Sequence, residues 1–364
     1  MSNKIASKIG ISDKQKFKEC VKNNDFYQPL FVKIKPLGKC NLRCAKCNYW
    51  RRESHMLHPG LSYEKIISLV DELSTLGCRC IKLSGGEITL LERLPEVIKH
   101  IKSKGIICSI TSNGLIIDDK LAEAIVSAGL DKITISIDSS NPEIHNKIVG
   151  MKGAWERSTN AIKNLVNYKE KLNSELRITI SSVLTKVNYR DIDKMLDLLK
   201  ELNVSRWDTI SLVKGHLEDK SLAMEKEDIE IFDKKIMPLI VEKSQAYDIT
   251  LVNPDPLRRE IGETPEDVPK KIYSKIPCYV GWYSFLIHFN SMVALCCANK
   301  EFEIGNVQDN CLKDIINNEK SRLFRQRQKC ANKPENCLKC MDEIKNNIAL
   351  TNWLEDRDED FKIS

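Results

Sequence analysis

The chain has 364 residues, enough for two domains or for one large domain with an appendage. Its net charge of +6 comes from intermixed acidic and basic residues, a pattern typical of a solvated surface and not of nucleic-acid binding. The amino terminus lacks the apolar core of a secretory signal, and no apolar run approaches the ~18 residues of a membrane span. We therefore expect a cytoplasmic protein, in which 14 cysteines indicate metal binding in preference to disulfide bonds.

Short apolar runs with strand composition alternate with amphipathic segments of helical periodicity. Ser62 can cap the first intervening helix and Gly77 can end it. The predicted strands are Phe31–Ile34, Cys80–Leu83, Ile106–Ile110, Lys132–Ile137, Leu176–Val183 and Trp207–Val213. This alternation predicts an α/β fold with parallel strands and right-handed crossovers, specifically a partial (β/α)6 barrel similar to the TIM barrel.

The sequence divides into five regions by composition. Residues 216–275 are charged and contain a Pro-rich stretch, which is typical of a linker or of an insertion that covers a substrate. The boundaries are 1–30 for an amino-terminal extension, 31–215 for the barrel, 216–275 for a helical or linker insertion, 276–345 for a small cysteine-rich domain with a β-hairpin and helix, and 346–364 for an acidic tail.

Three cysteines follow the first predicted strand with the spacing C-x3-C-x2-C. These are Cys40, Cys44 and Cys47. Three thiolates this close can hold three irons of one [4Fe–4S] cluster, which leaves the fourth iron open to a small molecule. A zinc site is the alternative, and it needs a fourth ligand such as His55 or His58.

Polar motifs follow the next three strands. SGGE ends the second strand at Ser84–Glu87, where glycines allow close approach of the backbone and a carboxylate can pair with an amino group. TSNG at Thr111–Gly114 ends the third strand, and SID at Ser136–Asp138 ends the fourth. The carboxyl ends of parallel barrel strands are where ligand chemistry takes place, so the sequence predicts one shared site.

Taken in this order, the four motifs resemble the radical S-adenosylmethionine (radical SAM) superfamily over about residues 31–215. The resemblance implies that the cluster binds S-adenosylmethionine (SAM) through its open iron. It also implies reductive cleavage of SAM to methionine and a 5′-deoxyadenosyl radical, with electrons from a flavodoxin- or ferredoxin-type donor. The implied SAM-binding residues are Gly85, Gly86, Glu87, Ser112, Asn113, Ser136 and Asp138.

Two positions depart from the pattern of this superfamily. Lys46 precedes the third cysteine, where an aromatic residue often packs near the adenine. Val149 occupies a position where an arginine often meets the SAM carboxylate, so Lys147 or a residue elsewhere would have to balance that charge.

A second group of cysteines lies near the carboxyl terminus, around a predicted hairpin that turns at about Asn290–Ser291. Together with Gly305–Asn306, it resembles the auxiliary-cluster module called SPASM, or its shorter form called twitch. The ligands implied for a second [4Fe–4S] cluster are Cys278, Cys296, Cys337 and Cys340. Cys297 is the alternative to Cys296, since neighbours on a strand face opposite sides, and a four-cysteine zinc site is the alternative to the cluster.

The remaining cysteines receive simpler interpretations. Cys311 and Cys330 have no assigned role, whereas Cys78, Cys80 and Cys108 are expected to be small core residues. A thiol can also donate a hydrogen atom to a substrate radical, and the candidates for that catalytic role are Cys108 and Cys297.

The resemblance implies that the second cluster accepts an electron from the substrate radical, which gives a net two-electron oxidation. The expected substrate is a small molecule similar to a sugar or an aminocyclitol. The alternatives are an epimerase, an enzyme that modifies a ribosomal peptide, and a non-catalytic iron–sulfur or zinc protein with a redox or binding role. Residues 1–30 are too few to fold as a separate peptide-recognition domain, which favours the small molecule.

Overall fold

The computed structural model describes residues 9–212, 220–253, 272–296, 302–329, 337 and 344–355. The strands are β1 Phe31–Leu37, β2 Cys80–Gly85, β3 Ile107–Ser112, β4 Lys132–Ser136, β5 Arg177–Leu184, β6 Arg206–Ser211, β7 Thr250–Leu251, β8 Ser284–Ile287, β9 Met292–Ala294 and β10 Glu303–Asn306. The helices are α1 Lys14–Asn23, α2 Glu53–Leu57, α3 Tyr63–Thr75, α4 Leu94–Ser103, α5 Asp119–Ser127, α6 Pro142–Val149, α7 Ala154–Lys171, α8 Met195–Glu201, α9 Lys226–Ile231, α10 Met237–Ala246, α11 Val280–Tyr283, α12 Leu312–Asn317, α13 Glu319–Lys329 and α14 Ile344–Leu354.

Within the described residues, the strands form one sheet in the order β10-β9-β8-β1-β2-β3-β4-β5-β6-β7. Strands β1 to β7 are parallel to their neighbours, which confirms the predicted α/β class and the parallel partial barrel. The short seventh strand Thr250–Leu251 lies beyond the six that the sequence predicts. Connections through helices explain this order, because a parallel pair needs a crossover.

The predicted carboxyl-terminal hairpin is present, with β8 antiparallel to β9. Strand β8 also pairs in parallel with β1, so the hairpin extends the barrel sheet instead of forming a sheet of its own. Ser291, in the turn, has a φ of +68°, a left-handed conformation that tight turns often require.

Alternate residues divide the sheet into two faces. Val32 and Ile34 of β1 are fully buried and join a core with Ile66 and Leu69 of α3, so the helices cover this face. The opposite face, which carries Lys33 and is only partly covered, is called the inner face below. In a partial barrel, this is the concave side on which ligands bind.

Residues near the amino terminus pack against the carboxyl-terminal part of the chain. Phe17 of α1 and Tyr27 share an aromatic cluster with Tyr279, Trp282 and Trp353. Phe17 contacts Tyr27 edge to face, with ring centroids 5.3 Å apart. The segment that the sequence presents as an extension is therefore part of the packed structure.

A buried arginine connects these same regions. The Arg325 side chain of α13 is fully buried, and its Nε donates a 2.7 Å hydrogen bond to the Asn24 carbonyl. The guanidinium also donates to the carbonyls of Ile316, at 3.2 Å, and of Gly281, at 3.4 Å. Burial lowers the pKa of Arg325 to about 10, which still leaves the side chain charged at neutral pH. None of the helices in the described part of the chain is both long and apolar enough to cross a membrane.

We expect Arg325→Ala to lower the free energy of unfolding by about 3 kcal/mol or more, because three carbonyls would lose a charged donor inside the protein. Arg322→Ala is the matched control on the same helix, since Arg322 is exposed and pairs with Asp25 at 3.1 Å. An exposed ion pair contributes about 0–1 kcal/mol. Urea denaturation of both variants measures the difference, and equal losses would contradict the role given to Arg325.

Candidate active site

The loop that carries the first cysteine triplet follows β1. The Sγ of Cys40 accepts a hydrogen bond from the Leu42 amide at 3.5 Å, and the Sγ of Cys47 accepts one from the Tyr49 amide at 3.4 Å. Burial raises the pKa of the Cys44 thiol to about 12. A thiolate at this position therefore needs a positive partner, and a bound metal supplies that charge.

The histidines proposed as alternative zinc ligands pack against an aromatic residue. The ring centroids of His55 and His58 lie 4.9 and 5.0 Å from that of Phe289. Nδ1 of His58 accepts a hydrogen bond from the Gly60 amide at 3.0 Å. Among the described residues, neither histidine belongs to a group of three His, Cys, Asp or Glu side chains that could hold a metal ion.

Gly85 and Gly86 bring the loop after β2 against the segment that enters the cysteine loop. The amide of Gly86 donates to the Leu37 carbonyl at 3.0 Å, and the amide of Glu87 donates to the Lys39 carbonyl at 2.9 Å. A Cβ atom on Gly86 would lie 2.0 Å from the Lys39 carbonyl oxygen, and one on Gly85 would lie 2.4 Å from that of Leu37. Glycine is therefore required here by the approach of this protein segment.

The Glu87 carboxylate is buried, with 2% exposure, and joins the loop after β2 to the loop after β3. Its Oε1 accepts hydrogen bonds from the Thr89 amide at 3.0 Å, the Thr89 hydroxyl at 2.6 Å and the Ser112 hydroxyl at 2.6 Å. Its Oε2 accepts one from the Asn113 amide at 2.8 Å. Nδ2 of Asn113 donates in turn to Oδ1 of Asn41, next to the first cysteine, at 2.7 Å.

Asp138, after β4, is the second buried carboxylate of the site, with 0% exposure. Its Oδ1 accepts hydrogen bonds from the Lys46 ammonium and from the Val183 amide, the latter at 3.0 Å. Lys46, which replaces an aromatic residue, thus ties the cysteine loop to the end of β4. Oδ2 of Asp138 has no hydrogen-bond partner among the described residues and can accept a hydrogen bond from a ligand.

Other side chains that the motifs do not identify support Asp138. Its amide donates to Nδ1 of the buried His145 at 3.1 Å. Burial lowers the pKa of His145 to about 4, so the imidazole is neutral near pH 7 and can accept this bond. The side-chain Nδ2 of Asn188 donates to the Asp138 carbonyl at 2.6 Å. The only sequence signal for Asn188 is its position just after β5.

Three further residues that the sequence analysis singled out lie on β4 and near the cysteine loop or at the surface. Ser136 lies on β4 beside Ser181 in register, two residues before Asp138. Val149 packs in a small apolar cluster that borders the cysteine loop. Lys147 is exposed and lines an open surface cleft.

Two cysteines of the second group lie around the buried Gln328. The Cys278 amide donates to the Gln328 carbonyl at 3.2 Å, and the Gln328 side chain lies 3.8 Å from the Sγ of Cys337. Nδ2 of Asn347 donates to the Sγ of Cys278 at 3.5 Å. Neither Gln328 nor Asn347 belongs to a motif in the sequence.

Cys296 follows β9 and is half-buried. Cys311 is exposed, and its thiol donates to Oδ2 of Asp314 at 3.2 Å. Cys297, Cys330 and Cys340 lie outside the described residues, so the alternatives that involve them remain predictions.

The strand register places the two cysteine groups at opposite ends of the strands, the first beyond their carboxyl ends and the second at their amino ends. Cys40 follows the carboxyl end of β1, and β8 runs parallel to β1 with Ser284 opposite Phe31. Because β9 returns antiparallel to β8, Cys296 comes back to the amino end of β8. The two ends of β1, a strand of seven residues, lie about 20 Å apart along the strand direction.

Cys108 is fully buried on the face that the helices cover, beside Ile81 in register. The hypothesis that Cys108 donates a hydrogen atom therefore needs correction, because a substrate on the inner face is on the other side of the sheet. Cys78, also buried, is a core residue as expected.

Comparison with protein families identifies two domains. Residues 34–199 match the radical SAM superfamily, and residues 278–341 match an iron–sulfur cluster-binding domain, SPASM. The chain therefore carries a radical SAM domain followed by a carboxyl-terminal SPASM domain. The two domains indicate two [4Fe–4S] clusters and SAM as its cofactors.

Relatives in sequence include enzymes with several activities. The chain is 32% identical over 208 residues to the Fe-coproporphyrin III synthase of Methanosarcina barkeri, a match that covers 57% of this chain and 49% of that protein. It is 29% identical over 174 residues to the probable GTP 3′,8-cyclase of Methanocaldococcus jannaschii, covering 47% and 55%. The chain spans about half the length of these curated relatives.

Solved structures share the fold at lower identity. SuiB of Streptococcus suis bound to the precursor peptide SuiA matches with a TM-score of 0.65 and 16% identity, over 91% of this chain and 75% of that one. The enzyme anSMEcpe with bound AdoMet and the Cp18Cys peptide matches with a TM-score of 0.62 and 21% identity, over 87% of both chains.

We expect Glu87→Gln to weaken SAM binding by roughly 10- to 150-fold without changing the iron content. If the Gln oxygen takes the place of Oε1, its amide group faces the Asn113 amide donor, and the loop after β3 must move. Glu92→Gln, on an exposed residue, is the control. Equilibrium binding of SAM to the reconstituted proteins measures the effect, and unchanged affinity would show that Glu87 serves only the turn.

Proposed function

We propose that the protein oxidises a small molecule by removing a hydrogen atom at the carboxyl end of the barrel and an electron at the amino end, with one proton released from the oxidised substrate. The proposed ligands of the first cluster are Cys40, Cys44 and Cys47, and those of the second are Cys278, Cys296, Cys337 and Cys340. When bound, SAM and the first cluster supply the 5′-deoxyadenosyl radical that takes the hydrogen atom. A reducing protein of the flavodoxin or ferredoxin type is the proposed electron donor.

The observation that carries this proposal is the hydrogen-bond network around Glu87. It fixes the loops after β2 and β3 to Asn41, beside the first cysteine, through contacts of 2.6–3.0 Å. A buried carboxylate that accepts this many hydrogen bonds is held in one position. The loops can therefore hold a ligand in a fixed orientation, as hydrogen abstraction at one carbon requires.

Asp138 supports the same site from the other side. Its free Oδ2 lies in a fully buried position, where a ligand hydroxyl or amino group would satisfy it. The Lys46 ammonium pairs with the other oxygen, which fixes the orientation of the carboxylate. The surrounding burial also limits the access of water, which would otherwise compete for these hydrogen bonds.

The position of the second cysteine group supports a role as electron acceptor. It lies at the amino end of the sheet, so a substrate on the inner face would lie between the two clusters. Nδ2 of Asn347 donates to the Sγ of Cys278 at 3.5 Å, and hydrogen bonds to ligand sulfurs adjust the reduction potential of a cluster. This arrangement favours oxidation over a redox-neutral epimerisation.

The names of the sequence relatives favour a small-molecule substrate, since they refer to Fe-coproporphyrin III and to GTP. The solved structures include complexes with peptides, which makes peptide modification the competing function. A sugar- or aminocyclitol-like substrate remains our specific expectation within the small-molecule class.

Anaerobic reconstitution should give about eight irons and eight sulfides per chain, as two [4Fe–4S] clusters require. Replacing Cys40, Cys44 and Cys47 together by Ala should leave about four irons. The control variant carries Ala at Cys20, Cys78 and Cys311, none of which is a proposed ligand. It should keep about eight irons per chain. Iron and zinc analysis decides the result, and stoichiometric zinc without iron would refute both cluster assignments.

The double variant Cys337→Ala, Cys340→Ala should uncouple the reaction. SAM should still be cleaved to 5′-deoxyadenosine under strong reductant, because the first cysteine loop and the Glu87 network are unchanged. Oxidised product should fall much further than SAM cleavage, since the electron from the substrate lacks its acceptor. Product per 5′-deoxyadenosine is the ratio to measure, with the Cys311→Ala variant as control. A normal ratio would favour an epimerase or a structural role for the second cluster.

A further inference from the structure

A row of positively charged residues crosses the inner face of the sheet. Lys33 of β1 pairs in register with Lys82 of β2, and Lys132 of β4 pairs with Arg177 of β5. Ser109 of β3 occupies the position between them, because it pairs with both Lys82 and Lys132. Neighbouring strands lie about 4.8 Å apart, so these four cations, here called the basic row, form one line across five strands.

Like charges directly opposite each other on neighbouring strands destabilise a sheet. Within the described residues, Lys33 and Lys132 have no salt bridge that would offset this cost. The nearest acidic neighbour in sequence, Asp131, is already bound by the Lys102 ammonium at 2.7 and 2.8 Å. Asp208 also lies on the inner face, but it is in register with Ser136 at the end of β4, four residues along the strand from the basic row. An external anion would offset the charges of Lys33 and Lys132.

The inner face changes character along the strands. Above the basic row, Thr111, Thr134 and Thr179 form a second row in register. A third row consists of Ser136, Ser181 and Asp208, close to the carboxyl ends where Asp138 lies. Four residues of strand, about 13 Å, separate the basic row from the third row. A small molecule of this length could lie along the inner face with its charged end at the basic row.

We propose that the basic row binds the carboxylate or phosphate groups of a polyanionic small-molecule substrate, with its reacting C–H group toward the first cysteine loop. This inference rests on the proposed function and narrows its substrate to a sugar-like or other small molecule that carries several acidic groups, which excludes a cationic aminocyclitol. Charge-assisted hydrogen bonds from Lys33 and Lys132 supply the recognition. The hydroxyl rows then contact the neutral part of the molecule. Lys33 also lies beside Leu286 of β8, so the bound anion is one strand from the hairpin that leads to Cys296.

The test measures binding of two probes, tricarballylate and inorganic tripolyphosphate, to the reconstituted 364-residue chain. Isothermal titration calorimetry at low ionic strength gives the dissociation constants. The double variant Lys33→Gln, Lys132→Gln should weaken binding by about 10- to 100-fold, as expected when two charged donors are lost. Iron content is measured before and after each titration, because both probes can bind iron.

A matched control separates the basic row from overall charge. Lys99→Gln with Lys163→Gln removes two positive charges from exposed positions on α4 and α7 and should change the affinity less than twofold. Thermal unfolding gives a second readout. If no carboxylate of the protein neutralises Lys33, Lys33→Gln keeps or raises the melting temperature. If a carboxylate of the protein already neutralises Lys33, Lys33→Gln should lower the melting temperature and the probes should not bind. That result would overturn the inference.

Each remaining outcome decides a separate question. Binding of tricarballylate alone assigns carboxylates, binding of tripolyphosphate alone assigns phosphates, and binding of both assigns a polyanion of either kind. No binding, or an equal loss in the control variant, overturns the inference. SAM cleavage to 5′-deoxyadenosine in the same preparations tests the proposed function independently. Loss of cleavage with intact probe binding would refute that function and leave the anion site standing.

Discussion

The arrangement of the site depends on the hydrogen bonds that the buried carboxylate of Glu87 accepts. An ionised carboxylate without partners is very costly to bury, so this position is stable only while its donors are in place. Those donors come from Thr89, Ser112 and Asn113, and the last of these also holds Asn41. The same contacts that satisfy the charge therefore determine where the first cysteine loop lies relative to β2 and β3.

The two glycines before Glu87 make this network possible. Their lack of Cβ atoms lets the segment that enters the cysteine loop approach to within hydrogen-bond distance of the loop after β2. Lys46 then fixes the other side of the cysteine loop to Asp138. A residue that departs from the usual pattern of the superfamily thus replaces a packing contact with a buried ion pair. Such a pair can specify geometry even where its net contribution to stability is small.

The pairing of β1 with β8 relates the two cysteine groups. Since β1 leads to Cys40 at its carboxyl end and β8 begins near Cys278, the sheet itself determines the separation of the proposed clusters. Arg325 and the aromatic cluster around Trp282 hold this carboxyl-terminal part against the amino-terminal helix. The inner face between the cysteine groups changes from basic to hydroxyl-bearing rows, which gives a bound molecule a defined direction.

The sequence by itself determined the parallel α/β fold, the hairpin near Ser291 and the order of the motifs, because strand periodicity and cysteine spacing are local properties. It also indicated both cofactors through the resemblance to the superfamily. Only the tertiary structure decided that Cys108 faces the helices, that Gly86 meets the Lys39 carbonyl and that β8 joins the barrel sheet. The basic row likewise depends on the register of five strands. A single sequence contains the residues of these contacts, but their pairing follows from packing between distant segments.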